Sequence, residues 1–153
     1  MQKITPFLWF DGKVEEAMHF YVSVFRHARV VNVRRAGPTG PVFSATFQLE
    51  GLEFLALNGG PLHRFTPAVS FFINCETQAE VDELWVRLTT DGGQAQPCGW
   101  VTDRFGLSWQ VIPGVLGRLL GDPDPVKSQR VMQAMLQMKK IEIAGLQRAY
   151  DGH

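Results

Sequence analysis

The side chains able to do chemistry are few and widely spaced. Of the four histidines, His63 lies in a loop, His19 lies within a predicted helix, His27 just after it, and His153 ends the chain. A neutral imidazole at position 63 could act as a general base or simply be solvated. Gln110 carries an amide that donates and accepts at once, which suits a ligand anchor or a buried glutamine satisfied by backbone. Trp9 and Trp109 are flat, apolar and carry one N–H each, fit for a pocket wall or for a core. Asn58 precedes two glycines and can hold a turn, since Asn tolerates positive φ. Cys98 would be a reactive thiol only beside a cation that lowered its pKa, and no cation is near it in sequence. No Ser-His-Asp, Cys-His, paired-carboxylate or Walker pattern is present.

The chain of 153 residues balances 15 Lys+Arg against 15 Asp+Glu, and 45% of it is hydrophobic, which argues for a folded core. Zero net charge argues against nucleic acid, which needs a basic face to replace counterions on the phosphates. Apolar runs such as Ala68–Ile73 are far too short to span a bilayer. The segment Met1–Pro6 has one positive charge but no apolar stretch behind it, so no secretory signal is expected. Cys75 and Cys98 form no C-x-x-C pair, so neither a disulfide framework nor a zinc site is indicated. A cytoplasmic protein is expected.

The elements that must position these residues come in two copies. Ile4-Thr5-Pro6 opens the run Phe7–Phe10, and Phe65-Thr66-Pro67 opens Ala68–Ile73; Ile4–Phe10 and Phe65–Ile73 both have strand character. A helix follows each. In the first, Asp11 is the expected N-cap before Val14, Ala17, Met18, Tyr21 and Phe25 at helical spacing; in the second, Thr77 and Glu80 form a capping box before Val81, Leu84, Trp85 and Leu88. Glu16/Glu80, Ala17/Val81, Phe20/Leu84 and Tyr21/Trp85 correspond at an offset of 64. Gly92-Gly93 is expected to end the second helix. Three strand-like runs follow each helix: Ala28–Arg34, Val42–Glu50 and Leu52–Leu57, then Gln94–Cys98, Gly99–Asp103 and Leu107–Ile112. The last of each set match at an offset of 55, Gly51–Leu55 against Gly106–Gln110.

The expectation is therefore an α+β chain of two βαβββ units, residues 1–58 and 65–113, joined by a linker at 59–64, with a helical extension at 114–153. In the extension Asp124 is the expected N-cap and Pro125 the first helical residue. Met132, Met135, Leu136, Ile143, Leu146 and Tyr150 make an apolar stripe on a basic amphipathic helix, expected to dock on its own sheet or on a second subunit.

Paired βαβββ units resemble the vicinal oxygen chelate (glyoxalase/bleomycin-resistance) superfamily, and Asp103–Gly106 followed by Ser108-Trp109-Gln110-Val111 is similar to its closing signature. More narrowly, Phe10-Asp11-Gly12, Glu15-Glu16-Ala17, Leu57–Pro61, Phe65–Phe72, Cys98-Gly99-Trp100 and Val131–Leu136 resemble the PhnB-like family labelled 3-demethylubiquinone-9 3-methyltransferase. The resemblance implies curved mixed sheets enclosing a bowl in which metal-using members hold one divalent ion. It implies ligand contacts at Gln110, Trp109, Trp9, Asn58, Leu55, Cys98 and Trp100, with His63 at the rim.

The position usually held by a metal-binding Glu falls at Gln110 and, by the internal alignment, at Leu55, while the first strands contain no His, Asp, Glu or Cys. No metal and no other cofactor is therefore expected. The methyltransferase label finds no nucleotide-binding turn. Gly37-Pro38-Thr39-Gly40-Pro41 is flanked by strands, and its prolines lack N–H donors. The expected function is small-molecule binding by a homodimer, without nucleic acid or membrane, and the reaction is left open. The alternatives are a metal-dependent enzyme of lyase or dioxygenase type, enzyme chemistry with His63 or a Gln110-held substrate oxygen replacing the metal, and a non-catalytic interaction or sequestration protein.

Overall fold

The structure, a computed structural model, describes residues 2–153 and divides into two compact units, one within residues 1–65 and one within 66–153. Each holds a four-stranded mixed sheet with the same connections. The first has the order β1-β4-β3-β2, from β1 (Phe7–Phe10), β2 (Ala28–Arg35), β3 (Val42–Leu49) and β4 (Leu52–Asn58). The second has the order β5-β8-β7-β6, from β5 (Ser70–Cys75), β6 (Gln94–Ala95), β7 (Trp100–Thr102) and β8 (Ser108–Pro113). In both, the first strand runs parallel to the last and the other neighbours are antiparallel.

Helix α1 (Val14–Val24) and helix α2 (Gln78–Leu88) are each eleven residues long and start 64 residues apart, as the repeat predicts. Val14, Ala17, Met18, Tyr21 and Val24 form the buried stripe of α1. They cover Leu8, Phe10, Phe47 and Phe54 of the first sheet, where Phe47 and Phe54 stack at 5.4 Å and Tyr21 lies 6.2 Å from Phe47. Val81, Leu84 and Leu88 do the same for α2. The capping box is present: Glu80 N donates to the Thr77 hydroxyl at 3.2 Å, and the Glu80 carboxylate accepts from Glu76 N at 3.0 Å.

Four local expectations are corrected. Asp11 does not cap α1, because the chain turns at Gly12 (φ 72°) and the helix begins two residues later, after Lys13. The first strands start late, at Phe7 and Ser70, after prolines at 6 and 67 that have no N–H to give a ladder. The segment 94–98 is two residues of strand followed by a tight 3-10 turn at Pro97–Gly99, where Cys98 has φ 62°. Helix α2 stops at Leu88, and a second tight turn at Thr90–Gly92, with Asp91 at φ 53°, precedes Gly93.

The tail is three helices, where one was expected: α3 (Gly114–Leu120), α4 (Pro125–Leu136) and α5 (Ile143–Asp151). Asp124 caps α4, its carboxylate accepting from Val126 N at 2.9 Å with Pro125 next. These helices dock on their own unit. Ile112 of β8 joins Leu116, Val131, Ile141 and Leu146 in one buried cluster. Gln78 of α2 clamps the turn before α5, donating to Ile141 O at 3.0 Å and accepting from Ile143 N at 2.7 Å. Gly99 (φ 83°) sits where a Cβ would lie 2.7 Å from Ile112 and 3.0 Å from Ile141, so only glycine lets the turn approach this cluster. Among the described residues no helix is long and apolar enough to cross a membrane.

Candidate functional site

Successive strand residues face opposite ways, so each sheet has a face under its helix and a far face. On the far face of the first sheet, Phe7, Leu55 and Thr46 are cross-strand partners, and Trp9, Leu57 and Ser44 form the next row. On the second, Phe72, Gln110 and Trp100 are partners, beside Ser70, Ser108 and Thr102. Leu55 and Gln110 thus hold the same place in the two units, three residues before each final strand ends, as the internal alignment predicts. Each faces a phenylalanine left in solvent: Phe7 is 57% exposed and Phe72 53%.

Gln110 is half-buried, and its Nε2 donates to the Ser70 hydroxyl at 3.0 Å. Trp100 is half-buried beside it. Trp9 is half-buried on the first sheet's far face; its indole N–H donates to Gly60 O at 2.8 Å, and the Gly59 backbone lies against its ring. His63 is exposed and meets that ring edge-on at 4.8 Å. Trp9 and His63 therefore come together within one unit.

Three candidates are placed otherwise. Trp109 lies one residue from Gln110 and so points the opposite way, into the core under α2. It is 2% exposed, with its indole N–H donating to the Asp103 carboxylate at 2.8 Å. It cannot share a pocket wall with Gln110. Asn58 ends β4, and its side chain is engaged by backbone groups. Its Oδ1 accepts from Val14 N at 3.0 Å and its Nδ2 donates to Val42 O at 3.1 Å, capping α1 from the end of β4. Asn58→Ala is expected to cost about 1–2 kcal/mol in urea unfolding, the range of a lost N-cap. Cys98 is half-buried in its tight turn, its N–H donating to Met138 O at 2.9 Å.

Burial, with a smaller push from Glu80, raises the Cys75 thiol to about 12. The folded state therefore favours the neutral thiol, and this group's support is complete below about pH 9 and lost as pH rises toward 12. With a disulfide reagent at pH 8, Cys75 is expected to stay unlabelled until the protein is denatured. Labelling of both cysteines in the native protein contradicts this burial.

Residues that sequence reasoning missed are Ser70 and Asp103. Ser70 lies on the partner strand forty residues from Gln110, so no local signal joins them. Asp103 is buried and accepts from Phe105 N at 2.8 Å, Leu107 N at 3.1 Å and Trp109 Nε1. The turn signature named it, but its role is to fix the β7–β8 hairpin.

The sequence pattern of the family described as 3-demethylubiquinone-9 3-methyltransferase matches residues 2–112. The chain belongs to this family. Among solved structures it is similar to a Bacillus cereus PhnB protein described as a 3-demethylubiquinone-9 3-methyltransferase, at 37% identity over 74% of this chain and 100% of that one, with a TM-score of 0.65. It is similar in fold to protein PA1353 from Pseudomonas aeruginosa (22% identity, 74% and 98% covered, TM-score 0.62). The same holds for the fosfomycin resistance protein FosX from Listeria monocytogenes, solved with Mn(II) and sulfate (17% identity, 71% and 89% covered, TM-score 0.51). No curated protein matches the chain. Family and fold together agree with the resemblance to the vicinal oxygen chelate superfamily read from the sequence.

That superfamily's divalent ion does not fit the residues present. Neither unit's row fits it: one offers Phe7, Leu55 and Thr46 and the other Phe72, Gln110 and Trp100, without the carboxylates and imidazoles a divalent cation needs. Among the described residues no three His, Cys, Asp or Glu gather in a cluster suited to a metal ion. The run Gly37–Pro41 closes the β2–β3 hairpin, Ala36 N donating to Pro41 O at 3.0 Å, and opens no helix.

Proposed function

We propose that this chain binds a small molecule against the far faces of its sheets, without a metal, and that Gln110 is the polar anchor. The observation that carries the reading is the matched pair of rows. At the positions where a metal-using relative would need charged ligands, this chain sets Leu55 and Gln110 against phenylalanines kept more than half exposed. Large aromatic side chains left in water at equivalent places favour a partner that covers them. Methyl transfer from an adenosine-bearing cofactor has no support in the local architecture, because the glycine-rich run is a hairpin.

The test is a fragment titration followed by amide NMR on chelator-treated protein. Shifts are expected to concentrate on Phe7, Leu55, Phe72, Trp100 and Gln110 without added metal. Shifts that cluster elsewhere, or that appear only after Mn2+ or Mg2+ is added, contradict the reading.

A second, catalytic reading is favoured by one observation: His63 is an exposed imidazole resting on Trp9, a far-face residue. Turnover of any substrate found should then survive chelators and be lost in His63→Ala. Unchanged turnover in that variant removes His63 from the chemistry.

A further inference from the structure

Resting on the binding reading, the geometry points to the class of ligand: we infer that the second unit's far face selects an uncharged aromatic molecule bearing an amide-type donor beside an acceptor. Gln110 is already engaged on one side. Its Nε2 donates to the Ser70 hydroxyl, so the amide carbonyl Oε1 remains the acceptor end of the pair. Ser70 Oγ is occupied as an acceptor, which leaves its O–H to donate outward. Among the described residues neither side chain makes another hydrogen bond.

One acceptor and one donor therefore stand side by side, and the group that answers both is a carboxamide or lactam. Its N–H reaches Gln110 Oε1 while its carbonyl receives Ser70 O–H. A carboxylate could use only the donor, and its second oxygen would face the Gln110 carbonyl.

The surroundings favour the same class. The cross-strand neighbours of Gln110 are Phe72 and Trp100, two aromatic surfaces flanking the polar pair. The remaining residues of these rows, Ser108 and Thr102, are uncharged. Arg104, at the end of the hairpin, is held 3.5 Å from Asp91. An ionised ligand would give up hydration here and meet no countercharge among the residues of these rows, a loss that an uncharged ligand avoids.

The test compares benzamide with benzoate at pH 7 by 15N–1H spectra of the whole chain, reading the Gln110 side-chain amide and the Trp100 indole N–H. Benzamide is expected to shift both and to bind at least tenfold more tightly than benzoate. Gln110→Leu and Ser70→Ala should each weaken benzamide at least fivefold while the remaining spectrum stays dispersed. If benzoate binds as well as benzamide, or both variants bind benzamide like the wild type, the inference fails while binding at the face stands. If neither probe moves these resonances, the inference fails; if uncharged fragments without an amide also leave all far-face residues unmoved, the binding reading fails with it.

Discussion

Removal of residues 122–153 is expected to leave the second unit unable to hold its native fold. Val131, Ile141 and Leu146 lose all solvent exposure in the cluster they share with Ile112 and Leu116. Burying an aliphatic side chain of this size contributes about 1.5–3 kcal/mol. The three together therefore supply a gain comparable with the whole net stability of an ordinary domain. Truncation also removes the Ile141 and Ile143 backbone partners of Gln78 and the backbone acceptors at Met138 and Lys139 that hold the 97–99 turn. Loss of dispersed amide signals from β5–β8 is the expected result. A truncated chain with the full-length unfolding midpoint would contradict it, and would make the tail an appendage free to recruit a partner. Leu146→Ala, expected to cost about 2–5 kcal/mol, asks the same question with one side chain.

Asp103→Ala is the second large effect, expected at about 3–5 kcal/mol in urea unfolding. One buried carboxylate takes hydrogen bonds from Phe105 N, Leu107 N and Trp109 Nε1, and its removal orphans three donors, the last two in buried bonds. Because it sets the turn from which β8 starts, the loss should also disturb the Ser70–Gln110 contact farther along that strand. Asp103→Asn keeps one acceptor oxygen but turns an N–H₂ toward a donor, so an intermediate cost is expected. A cost below about 1 kcal/mol for the alanine variant would mean that the carboxylate is dispensable to the hairpin.

The repeat made most of the fold legible, because it is written in residues whose spacing depends on local geometry alone. Two helices of equal length and two final strands matching at offset 55 follow from apolar periodicity and paired glycines. The tail's break was hidden for a physical reason. No proline or glycine lies between Val126 and Ala144, and the interruption at 137–142 is held by tertiary hydrogen bonds from Cys98 N and Gly99 N to Met138 O and Lys139 O. The cap of α1 was equally unreadable, since Asn58 reaches Val14 across 44 residues.

At the candidate site, Gln110, Leu55, Trp100 and Trp9 fall on far faces, whereas Trp109 does not. Strand alternation already forbade neighbours 109 and 110 from sharing a wall, and a tryptophan's type does not say which side it takes. Asp103 then fixes that choice by accepting the Trp109 N–H. Ser70, the partner that orients Gln110, carried no signal of its own and emerges only from the parallel pairing of β5 with β8.

The most direct test of the central claim is a high-resolution crystal structure of tag-free protein carrying whatever co-purifies, with elemental analysis of the same sample. The expected result is a small molecule lying against Phe72 and Trp100 with a polar group on Gln110, and far less than one divalent metal per chain. A stoichiometric metal ion at the Leu55 or the Gln110 position, or a ligand seated away from both far faces, would contradict it.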